Sequence, residues 1–426
     1  MPASKNYADK FAASAPQTPF FQLDPCSREF IRQRATRYRF TFQELKQVCE
    51  AALDLQMWRE TPLHAWWAQE ERAGKAQKKE LLHRLQACMH TLRSKAKSYP
   101  EDAPKPAPHK LALTAQLSPK NRFGRCPVAT EETVCCNLHT LDAVENCGLG
   151  CSYCTIQTFY GEQVVFDADL RAKLQAIEVQ PERFYHIGTG QSSDSLMWGN
   201  QYGTLDALCD FAGQRDNVLL EFKTKSKNIS YFLGRDPPRN IVLSWSLNTP
   251  TIIDHEEHFT ARLEQRLDAA RQVADRRIKV GFHFHPMVYY DGWKADYRRA
   301  AEQVMARFDP AEVLFLSFGA MTFIKPAVKA IRQRAWASKV LQMELVPGPK
   351  GKLSYPDDIK RQLFGHIYRV LAPWHDEVFF YLCMEKAALW RSTFGRVYAD
   401  NEAFAADFAR QVEKKRRPAA ACPPLQ

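Results

Sequence analysis

Residues 138–154 read LHTLDAVENCGLGCSYC, and this stretch governs how the rest of the chain is read. Its first ten residues, 138–147, suit a short strand, and the chain then turns into a C-x3-C-x2-C loop made by Cys147, Cys151 and Cys154. An iron–sulfur cube needs thiolates that converge from a tight loop, and Gly148 and Gly150 let the backbone wrap closely around one. Three cysteines leave one iron of a [4Fe–4S] cluster without a protein ligand. A structural zinc would take four ligands, and no fourth cysteine or histidine follows at zinc-finger spacing. The alternative, three buried thiols in a loop, fits poorly because two glycines would support a core badly.

Downstream of the loop, β-rich runs alternate with helical stretches. The runs are RFYHIG (183–188), VLLEFKT (218–224), IVLSWSLN (241–248), KVGFHFHP (279–286), VLFLSFG (313–319) and VFFYLCM (378–384). The clearest helix between them is predicted over 256–276. Such alternation implies a parallel sheet. About seven strands without a G-x-G-x-x-G opening favour an α/β fold built as a partial (β/α) barrel over a dinucleotide-binding sheet. In barrels of this kind the chemistry sits at the C-terminal ends of the strands, where the unusual polar residues of this chain fall.

Working outward, residues 1–26 are polar and read as a flexible N-terminal arm, and 27–99 as a basic helical extension. Residues 100–135 form a Pro-containing linker and lead-in, 136–398 the barrel, and 399–426 a C-terminal helix and basic tail. The chain has 426 residues and a formal charge of +11. Within 27–99, fifteen Lys/Arg against eight Asp/Glu place +7 of that charge, with Trp58, Trp66 and Trp67 among the basic residues. Such a segment is expected to contribute to nucleic-acid affinity; a basic enzyme with no such partner, and aromatics that are simply core, are the alternatives. No segment is apolar for long enough to span a bilayer, the first thirty residues lack a secretory apolar core, and twelve cysteines do not read as a disulfide scaffold. A cytoplasmic protein with reduced thiols, some of them metal-binding, is the expectation.

The cysteine array matches the radical S-adenosylmethionine superfamily motif. In that superfamily the open iron chelates the amino and carboxylate groups of S-adenosylmethionine, and the reduced cluster cleaves its sulfonium to a 5′-deoxyadenosyl radical. From about residue 139 to 395 the chain further resembles the spore photoproduct lyase family. The supporting strings are CSYCTIQTFYG (151–161), FYHIGTGQSSDSL (184–196), LEFKTKSKN (220–228), SWSLN (244–248), GFHFHPMVYYDGW (281–293) and VFFYLCME (378–385). The resemblance implies a radical SAM barrel and a carbon–carbon lyase acting on a DNA pyrimidine photoproduct. It implies a DNA substrate, and a reductase, flavodoxin or ferredoxin as electron donor. A radical enzyme acting on a peptide or small metabolite, and a non-catalytic iron–sulfur protein, are the other readings.

Carried over residue by residue, the resemblance assigns cofactor contacts to Lys225, Ser246 and His285, while Gly188, Thr189 and Gly190 end the second strand, where the backbone either approaches the methionine moiety or forms an ordinary turn. Tyr153 takes the position of the aromatic near the adenine. His283 and His285 alternate on one strand and read as neutral polar lining, a metal pair being the alternative. Two departures stand out. The family carries a cysteine after its second strand that returns hydrogen to the product radical, and here GTGQSSDSL (188–196) has none. The family also has a tyrosine directly after the last cluster cysteine, where this chain has Thr155. Cys383, at the end of the last strand, and Tyr153 are therefore the catalytic candidates for hydrogen donation, against a wall-filling role for Cys383. Cys126, Cys135 and Cys136 read as reduced structural thiols, with a second cluster as the alternative.

Overall fold

The computed structural model describes all residues except 1–5, 74–76, 103–104, 108–109, 127–129, 137, 160, 335 and 417–426, so the tail of the expected C-terminal region lies outside the described residues. Two compact units emerge, one of residues 1–106 with 325–345, the other of 107–324 with 346–426.

The first unit is helical. Helices α1 (Tyr7–Ser14), α2 (Pro25–Tyr38), α3 (Phe42–Trp58), α4 (Leu63–Ala73) and α5 (Lys78–Ser94) follow one another, and the segment Lys325–Gln333 adds a further helix against α3. Their starts are written locally. Thr41 and Glu44 form a reciprocal capping box at α3, and Asp24 caps α2 with Pro25 in its first turn. The expected loose arm is instead ordered from Asn6 onward: Ala15, Phe20 and Leu23 are buried, because these apolar residues recur at helical and 3-10 spacing between the polar ones. Trp58 and Trp67 are fully buried, so they serve as core and are closed to base stacking. Much of the segment's charge is paired internally: Arg34 with Glu71, Lys78 with Glu44, and buried Asp54 with both Arg93 at 2.8 Å and Arg332 at 2.7 Å.

The second unit is organised by one eight-stranded sheet. Its strands are β1 (Phe123–Arg125), β2 (His139–Leu141), β3 (Tyr185–Gly188), β4 (Val218–Thr224), β5 (Ile241–Leu247), β6 (Val280–Met287), β7 (Val313–Ala320) and β8 (Phe379–Leu382). They lie side by side in chain order, β1 antiparallel to β2 and every later pair parallel. The sheet stays open: β1 and β8 are its two edges, as a partial barrel requires. Every residue of β5 and β7 is buried, the signature of strands covered on both faces.

Side chains two apart share the inner face, so Glu221 and Lys223 on β4, Ser244 and Ser246 on β5, His283 and His285 on β6 and Ser317 on β7 form a polar lining. Phe315 closes the lining, packed on His186, His283, Tyr381 and Phe408. A Cβ at Gly281 would stand 2.5 Å from the Phe315 ring, which explains a glycine inside β6.

The strands expected from sequence are present, with two differences. The run 138–147 divides between β2 and the short strand Val144–Glu145, which pairs with Gln163–Asp167 in a separate three-stranded sheet. The helix expected over 256–276 is two helices, Pro250–Glu256 and Leu263–Asp275, because Thr249 caps an earlier start with Pro250 and the chain turns at 257–262.

Candidate active site

The loop that leaves β2 is tied down before its first cysteine. Asn146 adopts a left-handed conformation at φ 77°, and its amide donates to the carbonyls of Gly161 and Gln163. Gly150 turns the backbone at φ 59°, a conformation that glycine takes without strain. Across from the loop, the 256–259 segment grips it: Ser152 N donates to Glu256 O at 2.8 Å, Phe259 N to Leu149 O, and the Ser152 hydroxyl pairs with the His258 imidazole at 3.1 Å.

Cys147, Cys151 and Cys154 line one cavity of ≈ 280 Å³ at the C-terminal end of the sheet. Burial, with neighbouring Asp194 and Cys154, pushes the Cys147 thiol up to about 12, and burial raises Cys151 well above the usual range. Three thiolates gathered on one cavity need a cationic centre to be stable together. An iron–sulfur cluster supplies that charge, and the donor set, three sulfurs with one open side, fits it. Among the described residues no three His, Cys, Asp or Glu side chains converge as tightly as a single-ion site requires.

Tyr153, Gly190, Lys225, Ser246, His285 and Cys383 line the same cavity. Gly188 and Thr189 do not. A Cβ at Gly188 would meet Leu138, and the Thr189 hydroxyl is spent on Ser195 and on Glu221 O. At Gly190 a Cβ would fall 2.9 Å from Lys223 O, so only glycine lets the loop after β3 lie this close to β4.

The hub of the site is a residue that sequence reasoning missed. Glu257, fully buried, accepts from the Tyr153 phenol at 2.5 Å and from Arg266 at 2.5 Å, and pairs with Lys225 Nζ at 3.5 Å. Burial alone would raise its carboxyl, but the charges of Lys225 and Arg266 bring it down to about 2. Burial, then Glu257's charge, pushes the Tyr153 phenol well above its usual range. Lys225 also donates to His285 O at 3.2 Å. Asp194 is a second missed residue: it accepts from Thr224 Oγ1 and Lys225 N, both at 2.7 Å, and so locks the loop after β3 to the end of β4. Helix placement hid Glu257, yet Asn248-Thr249-Pro250 was a legible helix start that would have freed the turn.

His283 spends both ring nitrogens, on Ser317 Oγ at 2.5 Å and Glu221 Oε1 at 2.6 Å, and His285 Nε2 meets the same Ser317 hydroxyl at 3.1 Å. Burial holds His283 low, at about 4, so it is a neutral, hydrogen-bonded lining residue. A Cβ at Gly319 would come within 3.0 Å of the His285 ring. No helix of the described residues is long and apolar enough to cross a membrane.

A family model described as spore photoproduct lyase matches residues 139–352, half of the chain. Among curated proteins, the spore photoproduct lyase of Geobacillus sp. is 27% identical over 192 residues, 43% of this chain and 56% of that protein. That of Bacillus subtilis is 25% identical over 228 residues, 50% of this chain and 61% of that protein. The matched region thus spans little more than half the length of these relatives. Among solved structures, a spore photoproduct lyase variant with bound AdoMet and dinucleoside spore photoproduct aligns with TM-score 0.55 at 21% identity, covering 63% of this chain and 82% of that one, which is a likeness of fold. With half its length matched by the family model over the strands and loop that build this cavity, the chain belongs to the spore photoproduct lyase family.

Proposed function

We propose that this chain is a radical S-adenosylmethionine lyase that repairs a DNA pyrimidine photoproduct of the spore photoproduct type. The observation that carries the reading is the convergence of Cys147, Cys151 and Cys154 on one cavity with Lys225, Ser246 and Cys383. Cys147, Cys151 and Cys154 would hold a [4Fe–4S] cluster, and with S-adenosylmethionine bound it supplies a 5′-deoxyadenosyl radical. The relatives are lyases of that name, and one solved relative holds AdoMet and the dinucleoside photoproduct.

The chain's own residues then have separable tasks. Lys225 offers a cation to a carboxylate at the cavity wall, its position set by Glu257 and by His285 O. Ser246 and Gly190 line the cofactor side, and Tyr153 presents an aromatic face beside the cluster loop. Gly188 and Thr189 shape the β3 end from behind the cavity, leaving Gly190 alone of the three at the surface. A lesion inside a duplex must leave the stack to enter, and a damaged base does so at least cost. Cys383 is the hydrogen-atom donor in this reading, standing in for the cysteine that the 188–196 loop lacks. The electron donor is a reductase, flavodoxin or ferredoxin.

The test is anaerobic reconstitution of the cluster, followed by S-adenosylmethionine with dinucleoside spore photoproduct. Formation of 5′-deoxyadenosine together with two free thymidines supports the reading. Cofactor cleavage that leaves the photoproduct intact would move the chain to another substrate.

A further inference from the structure

Two lysines at the end of β4 line the cavity, and only one of them has been given a task. Lys225 is held by Glu257 at 3.5 Å and by His285 O at 3.2 Å. Lys223 stands two residues earlier on the same inner face, in register with Ser244 of β5. Its backbone is pinned, since Ser195 N donates to Lys223 O at 3.2 Å. Gly190 leaves room for its stem, because a Cβ there would fall 3.0 Å from Lys223 Cβ. The carboxylates of this wall are engaged elsewhere. Glu221 is taken by His186, His283 and Ser244, Glu257 by Lys225, Arg266 and Tyr153, and Asp194 by Thr224 and Lys225 N. Among the described residues the half-buried Lys223 ammonium has neither an ion pair nor a hydrogen bond. Its charge acts on His283, His285 and Cys383, so it stands inside the mouth and not over the outer face. An ammonium placed there gives up part of its hydration, and an anion restores what is lost.

We propose that Lys223 binds the phosphodiester joining the two nucleosides of the lesion, which makes the phosphate-bearing photoproduct the preferred substrate. The inference rests on the reading that a DNA photoproduct enters this cavity. Two anions then meet two lysines. The carboxylate of S-adenosylmethionine falls to Lys225, which Glu257 and His285 O keep in one place. The phosphate falls to Lys223, whose long stem lets a point charge follow an entering backbone. A lesion lifted from the duplex brings its bridging phosphate with it, between the two sugars that carry the joined rings. Cys383 lines the same cavity, so anchoring the phosphate at Lys223 also holds the lesion near that thiol.

The test uses the full chain with its cluster reconstituted and S-adenosylmethionine present. It compares the dinucleotide photoproduct, which carries the bridging phosphate, with the dinucleoside form, which does not. Wild type should favour the dinucleotide in kcat/KM, and Lys223→Met should shrink that preference on the order of tenfold, through KM. Lys223→Arg, which keeps the charge, should restore most of it. A wild type with no preference, or a preference that survives Lys223→Met, overturns the proposal. So does a Lys223→Met variant that binds S-adenosylmethionine about tenfold more weakly, since Lys223 would then serve the cofactor. A second arm needs no turnover: equilibrium binding of unmodified thymidine dinucleotide and of its uncharged methylphosphonate analogue. Wild type should bind the charged form more tightly, the more so at low salt, and Lys223→Met should treat the two alike. Equal binding of both by wild type overturns the proposal without any variant. If 5′-deoxyadenosine forms while both photoproducts persist, the repair reading falls, and the binding arm still decides the role of Lys223.

Discussion

The phenol of Tyr153 donates to Glu257 Oε1 at 2.5 Å, so the aromatic of the cysteine loop is held by a carboxylate from the turn between the helices Pro250–Glu256 and Leu263–Asp275. Arg266 and Lys225 hold the same carboxylate from other sides, which makes the loop, the β4 end and the turn at 257–262 one hydrogen-bonded body.

Replacing Glu257 by Gln should show this in acid. Its carboxyl, lowered from 4.5 to about 2, contributes stability that is fully present above pH 4.5 and is lost as the pH falls toward 2. The sign follows from a depressed folded-state pKa: the unfolded chain binds the proton first. Wild type should lose on the order of 3 kcal/mol through that window from this group, and Glu257→Gln should not. Denaturant titrations of both proteins at neutral and acid pH measure the difference. Parallel pH profiles would refute the assignment.

Cys147→Ala, Cys151→Ala and Cys154→Ala should each abolish 5′-deoxyadenosine formation under dithionite and remove the iron–sulfur absorbance after reconstitution. A triple variant that still cleaves the cofactor would end the cluster assignment.

In the helical unit, Asp54→Ala should be severely destabilising, by about 3–5 kcal/mol, since it strands Arg93 and Arg332 without the carboxylate they share. Thermal unfolding of the full chain reads this out. Trp67→Ala should cost a similar ~3–5 kcal/mol by cavity formation, as Trp67 is fully buried. If Trp67→Ala instead leaves stability alone and weakens DNA binding, the tryptophan belongs to a binding face.

Gly281→Ala should destabilise the barrel by about 1–3 kcal/mol, because its methyl would stand 2.5 Å from the Phe315 ring deep in the lining. Gly319→Ala should cost less but shift His285, whose ring lies 3.0 Å from the added carbon and borders the cavity. Binding of S-adenosylmethionine to the reconstituted protein, compared between the two variants, separates a stability effect from a cavity effect.

What was legible in the sequence was local and periodic. β4, β5 and β6 announce themselves as apolar runs with a polar residue at every second position near the end, and β7 as an apolar run broken by Ser317, which is how a half-barrel with a polar mouth is written. The cysteine loop is legible for the same reason, since Cys147, Cys151 and Cys154 lie within eight residues. Edge strands such as Ala112–Gln116, mostly exposed, carry no apolar alternation and went unread. Glu257, Asp194 and Arg266 act through contacts that no spacing encodes. Each is a charged residue in an ordinary-looking segment, and only the closing of the turn at 257–262 and the loop at 188–196 gives it a partner.

The borrowed helix of the first unit has a bearing on how the chain acquires its shape during synthesis. Asp54 meets Arg332 at a sequence separation of 278, so five helices that leave the ribosome early lack one of their own packing elements until most of the barrel strands have been made. At the usual pace of about 5–20 residues per second, that gap lasts roughly 14–56 s, during which Arg93 alone neutralises the carboxylate. The face of α3 that will take the helix Lys325–Gln333 stays open for that interval, which makes it the last part of the helical unit to gain protection from proteolysis.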